Sequence, residues 1–216
     1  MVEIASPSAA GATSAVGMHA ARLRDCGFTV LTHAVVDAPR IERAGQAVCS
    51  SLVARLQSVA DLGLDPTAQC YSFNDVCHRS SLRWDLEATA ETRQISEIAM
   101  GAVAPIVSAL HRLPLHAEER GLAWTRRLSP RQPRLVSHRA LLSRPGAAAQ
   151  KFHFDARLPL GSILPSHRLF NVFVPLVDIE EGDDGTQFLP GSHLGGARNR
   201  ICREALARSG QVRRTG

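Results

Sequence analysis

Residues 147–162 read AAAQKFHFDARLPLGS, and in them His153 and Asp155 stand two positions apart, alternating with Phe152 and Phe154. Alternate residues of a strand share a face, so the imidazole and the carboxylate project together while the two rings turn to the opposite side. A neutral imidazole and a carboxylate on one face supply two of the three ligands of a 2-His-1-carboxylate site. Such a site holds Fe(II) on one side and leaves the opposite positions open for oxygen and a co-substrate. Taken alone, the tripeptide serves a surface His–Asp pair equally well, so its neighbours must decide between the two.

The elements that would position this pair fall into two textures. Residues 18–28 suit a short helix stopped at Gly27, a residue free to adopt a left-handed conformation. The run FTVLTHAVV that follows is β-branched and apolar, the composition of a strand. Asp37 then suits a helix cap with Pro39 in the first turn, and Ile41, Ala44, Val48, Leu52, Leu56 and Val59 recur at helical spacing up to the stop DLGLDP. Residues 67–86 are mixed and loop-like. Residues 88–111 return to a helical period, with Pro105 expected to kink or stagger the helix. From about residue 121 the runs are short and broken by RPGAAA and EEGDDG. Helices first and strands afterwards predict an α+β fold, a helical layer packed on a β core.

Composition narrows the function classes. The chain has 216 residues, 44% hydrophobic and 21% charged, which suits one globular domain. Five scattered cysteines with no CxxC spacing argue against a disulfide framework and a zinc finger. The net charge of +5 is carried entirely by residues 194–216, which hold six Arg and one Glu. That tail has no aromatic residue, so the footprint of a nucleic-acid binder is missing. No run approaches the ~18 apolar residues of a membrane span. The Ala/Ser-rich start lacks the apolar segment of a secretory signal, which leaves the cytoplasm as the default compartment. The expected division is a disordered tail over 1–17, a domain over 18–193 and an Arg-rich tail over 194–216. Within the domain, helices run to about 120 and a partial barrel starts from about 121. A serine-hydrolase reading fails for want of GxSxG, and a zinc-hydrolase reading for want of further ligands at sensible spacing.

Three features occur in order along the chain. Pro145, Gly146 and Gln150 lead into the HxD strand, a strand of the type NVFVPLVD is expected at 171–178, and an acidic turn precedes GTQFLPGSH at 185–193. In these, and in LRDCGFTVL with the helix near Asp37, residues 20–195 resemble the phytanoyl-CoA dioxygenase family of Fe(II)- and 2-oxoglutarate-dependent oxygenases. The resemblance implies a double-stranded β-helix, a jelly-roll or cupin-like barrel, with iron at its mouth. It implies His153 and Asp155 as metal ligands, Fe(II) and 2-oxoglutarate as cofactor and co-substrate, and O2 and a small organic molecule as the other reactants. Asn171 and Gln150 are candidates for contact with 2-oxoglutarate, with a barrel-lining amide as the ordinary alternative. His193 is expected to serve the turn at Pro190 and Gly191 rather than the metal.

The chain departs from that family in one respect. The family's third ligand is a second His well beyond PGSH, followed by an Arg for the far carboxylate of 2-oxoglutarate. After Asp155 this chain has only His167 and His193. Three readings follow: a fragment of a longer oxygenase, a short relative that lost catalysis, or an unusual third ligand from His167 or His193. A non-catalytic jelly-roll binding module is thus the alternative function. An incomplete barrel leaves an open sheet edge, and open edges pair with other chains, so self-association is expected. Arg79 and Arg83 in HRSSLRWDL are candidate contacts for an anionic substrate, with solvated loop charges as the ordinary reading. His19, His33, His78, His111, His116 and His138 are expected at the surface or in packing.

Overall fold

The computed structural model describes residues 9–35, 37–68, 70–114, 133–150, 153, 169–179 and 185–193. Among them, helices α1 (Ala9–Cys26), α2 (Ala38–Asp61) and α3 (Ala90–Leu110) accompany strands β1 (Val76–Ser80), β2 (Arg83–Glu87) and β3 (Arg139–Ser143). The strands form one antiparallel sheet in the order β1-β2-β3. The architecture is therefore mixed helix and sheet, with a small open sheet among the described residues.

Local chemistry accounts for the helix ends. Asp37 caps α2, its Oδ1 accepting from the Arg40 backbone N–H at 3.0 Å, and a proline occupies the first turn. Thr89 caps α3 by accepting from Thr92 N–H at 3.3 Å. Gly27 ends α1 at φ +85°, its N–H donating to the Leu23 carbonyl at 3.0 Å. The Gly63 N–H closes α2 on the Ala60 carbonyl at 2.8 Å.

Two apolar clusters hold these elements. Val48, Leu52 and Val59 of α2 meet Val76, Trp84, Leu86 and Ala140, one from each strand except for the pair on β2. Trp84 is fully buried, and its indole N–H reaches the Tyr71 hydroxyl at 3.3 Å. The second cluster joins Ala20 of α1 to Ile106 and Leu110 of α3, with Val16, Leu31 and Phe170 packed against it. Helix α3 touches both α1 and α2, so it is the partition between the clusters.

Five expectations change, the first being the strand expected at 171–178, where the chain runs across the two apolar clusters without strand pairing among the described residues. Helix α1 starts at Ala9 rather than Met18, and Val16, ahead of the expected start, packs against the α1–α3 cluster. The run at 28–35 forms no strand: Phe28 stacks on Phe188 at 5.2 Å, Leu31 joins the second cluster and His33 turns at φ +57°. Tertiary packing has overridden β propensity there. Residues 76–87, expected as loop, are the β1–β2 hairpin, with a register shift between His78 and Ser80. Helix α3 continues through Pro105, which lies exposed on its surface.

Candidate functional site

The approach to His153 begins at β3. Its last residue, Ser143, pairs with Arg83. The Arg144 N–H then donates to the Leu82 carbonyl at 2.9 Å, pinning the exit of β3 onto the turn between β1 and β2. Pro145 and Gly146 follow, Gly146 at φ +85°, and the Ala147 N–H closes the turn on the Arg144 carbonyl at 3.1 Å. This is the Pro-Gly turn expected before the HxD segment. Gln150 and His153 lie exposed beyond it. Asp155 and His167 lie outside the described residues.

The downstream motifs come together on the helical side. Phe170 packs against the α1–α3 cluster and Leu176 against the α2 cluster, so residues 169–179 span both. The Leu176 carbonyl lies 3.3 Å from where a Cβ on Gly45 would stand, so this segment runs close against α2 and a side chain there would need it to shift by a few tenths of an ångström. Asn171 is exposed on the same segment. Phe173 meets Phe188 with ring centroids 6.2 Å apart, joining NVFVPLVD to GTQFLPGSH.

His193 is held by the C-terminal end of α1. Its Nε2 lies 2.8 Å from the Arg24 carbonyl oxygen, so Nε2 is the donor, because a carbonyl can only accept. Its Nδ1 is out of solvent, without a partner among the described residues, and would lie 2.4 Å from a Cβ on Gly27. The Gly191 N–H adds a 2.8 Å bond to the Cys26 carbonyl. Both ring nitrogens of His193 are thus directed at α1, which makes it a packing residue.

Several of the other described histidines are also engaged. His19 Nδ1 is 2.8 Å from Thr29 Oγ1, and His138 Nε2 is 3.0 Å from Ser96 Oγ on α3. Burial lowers the pKa of both, helped by Arg22 at His19 and by Arg93 at His138. His78 is buried between the Tyr71 and Trp84 rings, with centroids 5.4 and 5.2 Å away. His111 follows the last turn of α3.

Among the described residues no three His, Cys, Asp or Glu side chains gather as a metal would require. An imidazole and a carboxylate have the right donor chemistry for Fe(II), and His153 is exposed, while Asp155 lies outside the described residues. A third ligand is not brought to His153 among the described residues. No step through iron is therefore derived from this geometry.

The feature that sequence reading missed is the outward face of the sheet. Trp84, Leu86, Val76, His78, Ala140 and Leu142 turn toward α2, so Cys77, Arg79, Arg83, Asp85, Leu141 and Ser143 share the other side. Arg79 and Arg83 are thus strand residues on one face rather than loop charges. Asp85 is buried there at 3% exposure, and its Oδ2 accepts from Arg79 Nε and Nη2. That hydrogen bond, then the opposite charge, raises the Arg79 pKa. Arg83 has no such partner: its Nε donates to Ser143 Oγ at 3.0 Å, and its Nη1 is out of solvent with no acceptor among the described residues. Leaving a buried donor unpaired costs about 1–3 kcal/mol, more for a charged group. The alternation of HRSSLRWDLE was the available signal, obscured because its apolar positions are interrupted by a buried histidine.

No protein-family profile, no curated protein and no solved structure matches the chain. No described helix is long and apolar enough to cross a membrane.

Proposed function

We propose that the chain is an Fe(II)- and 2-oxoglutarate-dependent dioxygenase, or part of one, that hydroxylates a small organic substrate. The observation that carries this reading is the order of its motifs: a strand, a Pro-Gly turn, Gln150, then His153 and Asp155, then NVFVPLVD and GTQFLPGSH. In this reading the three-stranded sheet belongs to a double-stranded β-helix, and the helices pack outside it. His153 and Asp155 would hold the iron, and Asn171 and Gln150 would approach 2-oxoglutarate. When bound, the iron couples decarboxylation of 2-oxoglutarate to insertion of oxygen into a substrate C–H bond. The protein's part would be to hold the two ligands two residues apart in the segment after the Pro-Gly turn, where His153 lies outside the described strands.

A second reading, a jelly-roll binding module without metal, draws on His193 being committed to α1 rather than to a metal. One experiment separates the two. The full chain is loaded anaerobically with Fe(II) and 2-oxoglutarate, and the metal-to-ligand absorption band is recorded with succinate release under O2. The oxygenase reading expects the band and iron-dependent succinate, both lost in Asp155→Ala. Neither signal at saturating iron would leave the binding module standing.

A further inference from the structure

We propose that β3 is the edge on which a second copy of this chain pairs antiparallel, with the two-fold axis at Leu141. The two edges of the sheet differ. On β1 the outward backbone groups are already used: the His78 N–H donates to the Tyr71 carbonyl at 2.9 Å, and the Val76 carbonyl accepts from the Phe73 N–H at 2.8 Å. The register shift between His78 and Ser80 disturbs that strand further. Covering an edge and bulging it are two ways in which a sheet avoids pairing with another chain. On β3 the register against β2 runs unbroken from Arg139 to Ser143. The bond from the Arg144 N–H to the Leu82 carbonyl sets its alternation. Ala140 and Leu142 therefore turn their backbone groups to β2, and Arg139, Leu141 and Ser143 turn theirs outward. Those three residues are exposed, and no strand among the described residues pairs with their outer side.

The side chains leave this edge clear. Arg139 reaches back across the sheet and donates to the Asn74 carbonyl at 3.2 Å, and the Ser143 hydroxyl is engaged by Arg83 of β2 at 3.0 Å. The register follows from what each arrangement opposes. With the axis at Leu141, that residue faces the partner's Leu141 and Arg139 faces the partner's Ser143. All three outward residues then form pairs that exchange both N–H···O bonds. An axis at Arg139 would instead set two guanidinium side chains directly opposite each other, which is unfavourable. Leu141 is 62% exposed, and the partner's Leu141 covers it as a cross-strand apolar pair. A copy brings that leucine to the matching position; an unrelated strand does not. A strand of five residues buries little surface, so the dimer is weak and forms at roughly 0.1–1 mM chain. The pairing needs neither iron nor substrate and is independent of the oxygenase reading.

The test is sedimentation velocity of the full chain from about 10 µM to about 1 mM, beside NMR hydrogen exchange of the β3 amides at both ends of that range. The wild-type chain should pass from monomer to dimer. The amides of Arg139, Leu141 and Ser143 should exchange fast in the dilute sample and severalfold more slowly in the concentrated one, while those of Ala140 and Leu142 stay slow in both. Leu141→Lys and Leu141→Glu should each be monomeric alone, because each opposes like charges across the axis. An equal mixture of the two should restore the dimer. Val53→Lys, which removes an apolar side chain 69% exposed on α2, should dimerise like wild type. Far-UV circular dichroism checks that each variant is folded. A wild-type monomer throughout, a dimer surviving in either folded Leu141 variant alone, a mixture that stays monomeric, or loss of the dimer in Val53→Lys overturns the proposal. Slow exchange of the three outward amides in the dilute sample also overturns it, since another segment of the same chain then covers the edge.

Discussion

His193 Nδ1 occupies the space that a Cβ on Gly27 would need, 2.4 Å away, while its Nε2 donates to the Arg24 carbonyl one turn earlier. The histidine of the PGSH turn and the glycine that ends α1 are therefore fitted to each other. Gly27 is also at φ +85°, a conformation that L side chains rarely adopt.

Gly27→Ala should destabilise the chain by roughly 1–3 kcal/mol, through backbone strain and displacement of His193 together. His193→Ala in the same background should restore the steric part and leave the backbone part. Urea denaturation of the two variants measures both, and an unaltered midpoint in Gly27→Ala would show that α1 and the PGSH turn do not pack this way.

Trp84 is fully buried at the junction of α2 and the sheet. Trp84→Ala should cost about 3–5 kcal/mol. Tyr71→Phe, which removes the acceptor of the indole N–H, should cost only about 0.5–1.5 kcal/mol. Thermal melts that rank the two in the reverse order would place the weight of this core on the hydrogen bond instead of on burial.

The depressed pKa values of His19 and His138 fix the sign of a pH effect. Folding disfavours their protonated forms, so the unfolded chain takes up protons first as pH falls. Stability should hold above the ordinary value of 6.5 and decline as pH drops below it. Denaturant midpoints at pH 7.5 and 5.5 test this. The loss should shrink in His138→Gln, and a midpoint that rises on acidification would contradict the burial assigned to both rings.

Under the oxygenase reading, chelation with EDTA should abolish succinate release and added Fe(II) should restore it. His153→Ala should abolish tight iron binding, and Asp155→Glu, whose carboxylate is displaced by about one methylene, should weaken it. Tight iron binding retained in His153→Ala would remove that residue from the metal site.

Where local chemistry and periodicity act together, the fold was legible. The Asp37 cap, the stripe along α2, the Gly27 stop and the Pro145–Gly146 turn were all readable because each depends on residues within one or two turns. The strand expected at 28–36 was not, since its fate was set by Phe188 and by the α1–α3 cluster, far along the chain. The hairpin at 76–87 was missed because His78 is buried between two rings and Asp85 lies under Arg79; neither residue marks a buried position by its type. His153 and Asp155 are candidate ligands through their spacing together with the resemblance that the ordered motifs carry, not through spacing alone. The position of Arg83 beside Ser143 was not legible, because those residues are 60 apart in sequence and meet only through strand pairing.

That separation also orders the assembly of the sheet. The β1–β2 hairpin closes over a turn of two residues, Ser81 and Leu82, whereas β3 can join only after the chain has passed through α3 and returned. Closing the longer loop loses more chain entropy, and the contacts it brings arrive late. The hairpin is then a template formed early, and the docking of β3 is the step at which both the exit toward His153 and the Arg83–Ser143 contact come into being. Slow amide exchange in β1 and β2 would precede protection of β3 during refolding, so the candidate site would be the last part of the sheet to form and the first to open.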